Sequence, residues 1–348
     1  EKYDRFTFFV VSTSHPNYEC VRNVVATNSY VAEYRLNDYP ITEEEILAKG
    51  RDAWDMSLNT INICKFQLGW ASIGICTHAL YEAINHASHR ILYGKKVTEF
   101  AHIRSFLMDA YCRLVAMKLF TLRAADYIRT ASPQDRRYLL YDPMVKMKVT
   151  SQGEEVINLL WDIIAAKGFE KNTYFSLAAS NIRALPKLEG TVHVNMALII
   201  KFMPAYFFMP EQFPEIAQTN AAKNDDFLFD QGSTSGLSAI RFHDYKIAYN
   251  TKNLPNLNLF KEQIAAFVDL MMGATPTEKQ GMDLDFTLIG GELFTLVAYG
   301  QLLLENAPIY KISDDLLDQM FDFLVRDFSK YALMWYSKPA TTAKQAEF

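Results

Sequence analysis

The sequence predicts an α+β fold that is mostly α: a partial β domain, then an up-and-down four-helix bundle, then an extra C-terminal helical region. Three observations predict it. Apolar residues alternate in short runs over the first 48 positions, which is the period of a strand. From Gly50 the period becomes helical and holds, segment by segment, to Met209. After an aperiodic stretch it returns three more times. A chain with 50% apolar and only 22% charged residues has the composition to bury one large core.

The elements follow in order. Phe6–Val11 is β-rich, and 18–26 and 29–35 alternate, with breaks at Pro16-Asn17, Asn37-Asp38 and Pro40. These are too few strands for a closed barrel or sandwich. Residues 1–48 therefore read as a partial β domain that an upstream segment or another chain completes. Residues 49–209 read as the bundle. Its first helix spans 51 to about 92 and stops at Tyr93-Gly94, a glycine cap followed by Lys95 and Lys96. A second spans about 99–131 and ends at Ser132-Pro133. A third spans about 143–166, with Pro143 in its first turn and Gly168 behind it. Shorter helices cover about 174–185 and 191–209. Residues 210–258 collect Asn, Asp, Gly and Pro and read as a linker or arm, whose Arg241-Phe242-His243-Asp244-Tyr245 run is placed to dock on a neighbour. Residues 259–338 form the C-terminal helical extension, and 339–348 read as a disordered tail.

Composition also excludes functions. Net charge is −5 with no long basic block, which argues against electrostatic nucleic-acid binding. Cys20, Cys64, Cys76 and Cys112 are scattered without CxxC spacing and read as reduced thiols. No uninterrupted apolar run reaches the roughly 18 residues of a transmembrane helix. His78, Glu82, His86 and His89 share one side of the first helix, but a metal needs converging ligands and one straight helix offers two neighbours at most. They read as a polar stripe. Gly290-Gly291, inside an apolar helix pattern, reads as a site of close helix packing.

Chemistry concentrates at Leu188-Glu189-Gly190-Thr191, 21 residues after Gly168 and just before an apolar helix. A glycine there lets backbone approach a ligand. The helix start adds free N–H donors and a positive dipole end. Such a place can hold a carboxylate base beside an electron-poor, partly anionic ligand. Read without context, the same string is an acidic helix start and a turn glycine.

The order of the pieces is more specific than any one of them. Phe8-Phe9-Val10-Val11, Ala53-Trp54, Arg90-Ile91-Leu92-Tyr93-Gly94, Phe100, Gly168-Phe169 and Glu189-Gly190-Thr191 together resemble the acyl-CoA dehydrogenase family over roughly residues 5–205. The resemblance implies an FAD enzyme that oxidises the Cα–Cβ bond of an acyl-CoA thioester and passes electrons to electron-transferring flavoprotein. It implies Glu189 as the catalytic base. Arg90, Tyr93, Phe100 and Ile103 are implied on FAD, with Asp162, Ala166, Thr191 and His193. Leu188, Gly190 and Lys65 are implied on the substrate. A buried carboxylate with a raised pKa suits α-proton abstraction, and N–H donors on the carbonyl oxygen suit the enolate.

The sequence departs from the family pattern where Gln-x-x-Gly-Gly is usual and Asp162-Ile163-Ile164-Ala165-Ala166 stands instead. The lost glycines and added charge support an alternative reading: a subunit of the same fold with weakened flavin binding that acts in assembly, or other flavin oxidase chemistry. The family's N-terminal helical domain and half its β domain have no counterpart in this sequence. The C-terminal region resembles that of the very-long-chain type members. That implies a homodimer, or a complex with a chain carrying the N-terminal half, in a bacterial cytoplasm or a mitochondrial matrix.

Overall fold

The computed structural model describes residues 2–26, 30–220, 225–233 and 235–348. In chain order the elements are β1 (Thr7–Phe9), β2 (Tyr18–Asn23), β3 (Ala32–Leu36), β4 (Ile46–Lys49), α1 (Gly50–His89), β5 (Ile91–Leu92), β6 (Lys95–Lys96), α2 (Ala101–Arg129), α3 (Tyr138–Met144), α4 (Thr150–Ile164), α5 (Phe175–Ala184), α6 (Val192–Ile199), α7 (Met203–Phe208), α8 (Asp226–Phe229), α9 (Lys246–Tyr249), α10 (Pro255–Gly273), α11 (Glu278–Met282), α12 (Leu284–Asn306) and α13 (Asp314–Tyr336). They fall into two compact units.

The first unit comprises Glu1–Ile63 and Asp225–Ser235. Its strands form two antiparallel pairs, β1 with β4 and β2 with β3, each broken by a bulge. Two-stranded pairs are marginal alone, and here aromatic packing supports one of them: Phe6 lies 5.0 Å and Tyr3 5.8 Å from Trp54 in the first turns of α1. Ser29, the start of one expected strand, lies outside the described residues. The segment around α8 is fixed by amide hydrogen bonds: Asn59 donates to the Gly232 carbonyl and Asn62 to Gln231.

The second unit, Cys64–Asn224 with Gly236–Phe348, holds the helical core. α12 sits at its centre, against α2, α6 and α13. By length and hydropathy α12 could cross a membrane, but 83% of its apolar window is buried in this core. The paired glycines are what let it pack closely. A Cβ on Gly291 would lie 2.5 Å from Met196 Sδ and 2.8 Å from Ile200, so a side chain there would drive α6 away. Charge pairs bridge the same helices. Arg113 of α2 donates two hydrogen bonds to Asp327 of α13, at 2.8 and 2.9 Å. Arg123 of α2 reaches Glu305 of α12 at 3.0 Å.

Four expectations are corrected. α1 ends at His89, not near Leu92; the next residues form a β5–β6 hairpin with Ile91 opposite Lys96. Tyr93 (φ 50°) and Gly94 (φ 76°) both take the left-handed conformation that a two-residue hairpin turn needs. Gly94 is thus a hairpin glycine rather than a helix cap, and Lys95 and Lys96 form the second strand of the hairpin. Pro143 lies inside α3 rather than in a first turn. Proline removes one helical N–H, and the backbone widens into a π turn over Val145–Val149 before α4 begins. The Arg241–Tyr245 run is no loose arm: Phe242 is fully buried between Phe202 and Tyr206, and Tyr245 stacks on Tyr206. Nor is the tail disordered. Gln345 is buried and exchanges hydrogen bonds with Gln280, and Thr341 donates to the Trp335 carbonyl.

Candidate functional site

Six of the expected cofactor residues come together. Arg90, Tyr93, Phe100, Ile103, Asp162 and Ala166 line one cleft of about 590 Å³. Three local structures position them. The β5–β6 hairpin lifts Tyr93 to its tip, where the ring is 96% exposed. The start of α2 supplies Phe100 as its N-cap residue and Ile103 as a buried wall. The end of α4 supplies 162–166.

The end of α4 is strained. Ala165 has φ 54° and ψ −142°, a region that is close to glycine-only. Its amide still donates to the Trp161 carbonyl. Gly168 follows because nothing larger fits: a Cβ there would lie 2.6 Å from Trp161 Nε1 and 2.9 Å from Ile164.

The cleft also contains residues the sequence reading assigned elsewhere or passed over: His86, His102, Lys167 and Glu170. His86 was placed in the polar stripe, yet it stands four residues before Arg90, one helical turn away, which is the signal that could have found it. Its imidazole pKa is lowered by burial and by the charges of Arg90 and Lys167. Burial is the larger cause; the two cations add to it and the charge of Glu170 opposes them. The other stripe residues do different work. His78 stacks on Tyr174 at 4.0 Å and faces Glu82 at 3.5 Å. Among the described residues, no three His, Cys, Asp or Glu converge as metal ligands.

The remaining candidates are not in that cleft's wall. Leu188, Glu189, Gly190 and Thr191 lie between α5 and α6, and His193 lies in the first turn of α6. Glu189 (φ 49°) and Gly190 (φ 79°) are both left-handed. For a non-glycine residue this costs about 1–2 kcal/mol, so the surroundings must hold it. Thr191 caps α6, its hydroxyl accepting from the Val194 amide. The Asn195 side chain, buried beneath, donates to the carbonyls of Gly190 and Thr191. Glu189 and His193 are exposed. The expectation of a buried base is therefore corrected: Glu189 is exposed in this chain.

Beneath the turn lie charges that sequence reasoning missed. Lys146, in the π turn and fully buried, donates to the Pro186 carbonyl at 2.5 Å and to the Gly190 carbonyl. Burial, with Lys65 and Lys187 nearby, lowers its pKa to about 8. Asp142 is also buried, and neither carboxyl oxygen has a hydrogen-bond partner. Burial pushes its pKa up to about 8, against the pull of Lys65. Lys65, half-buried on α1, is lowered by burial while the charges of Asp142 and Glu189 raise it. The available signal was Asp142 and Lys146, two charges four residues apart inside an otherwise apolar helix pattern.

Comparisons with known proteins agree with this architecture. Residues 52–203 match the family profile described as acyl-CoA dehydrogenase, C-terminal domain. The caffeyl-CoA reductase–Etf complex subunit CarC of Acetobacterium woodii is 28% identical over 164 residues, covering 47% of this chain and 42% of that protein. The chain thus spans less than half the length of that curated relative. An acyl-CoA dehydrogenase from Bacillus anthracis, solved in complex with FAD, superposes over 94% of this chain and 57% of its own, with a TM-score of 0.66 at 12% identity. One from Geobacillus kaustophilus covers 57% and 52%, with a TM-score of 0.53 at 13% identity. At such identities these structures show a shared fold. Over residues 52–203 the chain is thus similar to an acyl-CoA dehydrogenase C-terminal domain, and its fold is the one those structures share.

Proposed function

We propose that this chain takes part in an FAD-dependent α,β-dehydrogenation of an acyl-CoA thioester, with Glu189 as the α-proton base. The observation that carries the reading is the cleft, which gathers Arg90, Tyr93, Phe100, Ile103, Asp162 and Ala166 from three separate structures. Its chemistry fits part of a flavin dinucleotide. Arg90 and Lys167 match a pyrophosphate charge, while the exposed Tyr93 ring and Phe100 offer faces for an aromatic ring system.

The residues divide the work. Arg90 and Lys167 would neutralise and orient the dinucleotide. Tyr93 and Phe100 would cover its rings and exclude water. Glu189, exposed on its left-handed turn, would take the proton from Cα of the thioester. The Glu189 backbone N–H would donate to the thioester carbonyl and stabilise the enolate. FAD, when bound, supplies the acceptor for the hydride leaving Cβ. A reduced carrier must then be reoxidised. The CarC relative is named for an Etf complex, which supports electron-transferring flavoprotein as the acceptor here. A homodimer remains part of the proposal.

The test is spectroscopic. Protein saturated with FAD should show a flavin absorption band that bleaches on adding an acyl-CoA. Glu189→Gln should lower turnover by about 100-fold or more with the resting flavin spectrum unchanged. Turnover unaltered by that change would overturn Glu189 as base. Asp162 and the strained Ala165 favour one second reading, an assembly subunit with weak flavin binding. Failure to retain added FAD would select it.

A further inference from the structure

We infer that Lys146 is a positioning residue for Glu189, clamping the turn that presents the carboxylate. The inference rests on the reading of Glu189 as base and adds the device that holds it in place.

Glu189 sits in a backbone conformation its side chain disfavours, so something must fix the turn on both sides. Lys146 does this from one nitrogen. Its ammonium donates to the carbonyl of Pro186, three residues before Glu189, and to that of Gly190, the next residue after it. Both acceptors belong to one short loop, and the donor belongs to another part of the bundle. The Gly190 carbonyl also accepts from Asn195, so the two sides of its oxygen are occupied and the Gly190–Thr191 peptide plane, directly after Glu189, is set.

The reach of Lys146 depends on the π turn. Val145–Val149 is a widened turn with every residue buried. A regular α-helix continuing α3 into α4 would rotate residue 146 relative to its neighbours. The wide turn is also where such insertions gather near working sites. Gly69 makes the space, since a Cβ there would lie 2.3 Å from Val145 Cγ1 and press on the same turn. A buried ammonium with only carbonyl partners is a costly way to close a loop. An apolar side chain would fill the volume at less cost, so holding the two carbonyls is the function that explains the charge.

Hydrogen exchange and steady-state kinetics on FAD-loaded protein test this together. Lys146→Met removes both donors while keeping length and volume. The amides of 187–191 should then exchange about tenfold faster or more, with helix amides of α2 and α12 unchanged. With an acyl-CoA substrate, kcat should fall at least about tenfold while KM stays within about twofold, because the base is misplaced and the substrate contacts are not. Lys146→Gln, which restores an N–H donor without charge, should recover part of the protection and part of kcat. If Lys146→Met does not fold, the comparison runs between wild type and Lys146→Gln, which should show intermediate exchange. Unchanged exchange at 187–191 overturns the clamp whatever the kinetics. Faster exchange without loss of kcat, in a protein where Glu189→Gln is inactive, overturns positioning and leaves Glu189 standing. If Glu189→Gln is itself active, the failure belongs to the assignment of the base.

Discussion

Replacing Ala165 by glycine should stabilise this protein, although it removes a side-chain atom from the edge of the candidate cleft. At φ 54° and ψ −142° the Ala165 Cβ crowds the backbone. Such conformations cost about 1–3 kcal/mol for a residue with a Cβ. Glycine removes that cost. It returns part of it, about 0.4–1 kcal/mol, by making the unfolded chain more flexible. No packing is lost, because Ala165 is exposed. α4 is not weakened, because it ends at Ile164, and a left-handed residue just beyond a helix is where glycine is favoured. The net expectation is a gain of about 1–2 kcal/mol. Ala166 is the control. It is the next residue and also exposed, but it is not among the residues with positive φ. Ala166→Gly should therefore cost about 0.5–1 kcal/mol. Calorimetric melting of the two variants beside wild type reads the result. Ala165→Gly should melt about 2–5 °C higher and Ala166→Gly slightly lower. Two glycines that shift the midpoint equally, or an Ala165→Gly that melts below wild type, would refute the strain.

Two further outcomes follow from buried groups. Asp142 has a folded-state pKa raised from 3.8 to about 8, so the folded protein holds a proton that the unfolded chain releases. Stability therefore falls as pH rises between about 4 and 8, by about 1.4 kcal/mol per pH unit. Denaturant unfolding of Asp142→Asn should show this slope removed, gaining about 2–3 kcal/mol on wild type between about pH 5.5 and 7.5; parallel pH profiles would sink the assignment. Gly153→Ala should cost about 2–3 kcal/mol: the added Cβ would lie 2.1 Å from Ser72 Oγ and 2.8 Å from Ile182 Cδ1, and overpacking plus the disturbed Ser72–Val149 hydrogen bond outweighs the helix propensity gained. Ser72→Ala in the same protein should recover part of that loss, and additivity in the double-mutant cycle would show that the two residues do not meet.

The helices were legible because each buries an apolar face and writes its period into the sequence. The cleft was legible for another reason. Arg90, Tyr93, Phe100, Ile103, Asp162 and Ala166 were named through the resemblance, and the hairpin, the start of α2 and the end of α4 bring them to one cleft. What stayed hidden depends on contacts between distant segments. Nothing near position 93 reveals whether Gly94 ends a helix or turns a hairpin; pairing of Ile91 with Lys96 decides it. Nothing near position 345 reveals a buried glutamine, because Gln280, its partner, is 65 residues away. The exposure of Glu189 was hidden too, since the string Glu-Gly-Thr carries chemistry but not direction.

The same distinction explains why the candidate base and its support were not equally visible. Glu189 announces itself because glycine and threonine beside it mark a turn and a helix start. Lys146 alone announces little, since a lysine inside a helix pattern is ordinarily a solvated one, and only its spacing from Asp142 marks it. Only the fold shows that it is buried, that it stands in a π turn rather than a regular helix, and that its partners are two carbonyls. Those two carbonyls flank Glu189 in sequence but are 40 and 44 positions from the lysine, so no local pattern around either residue could pair them.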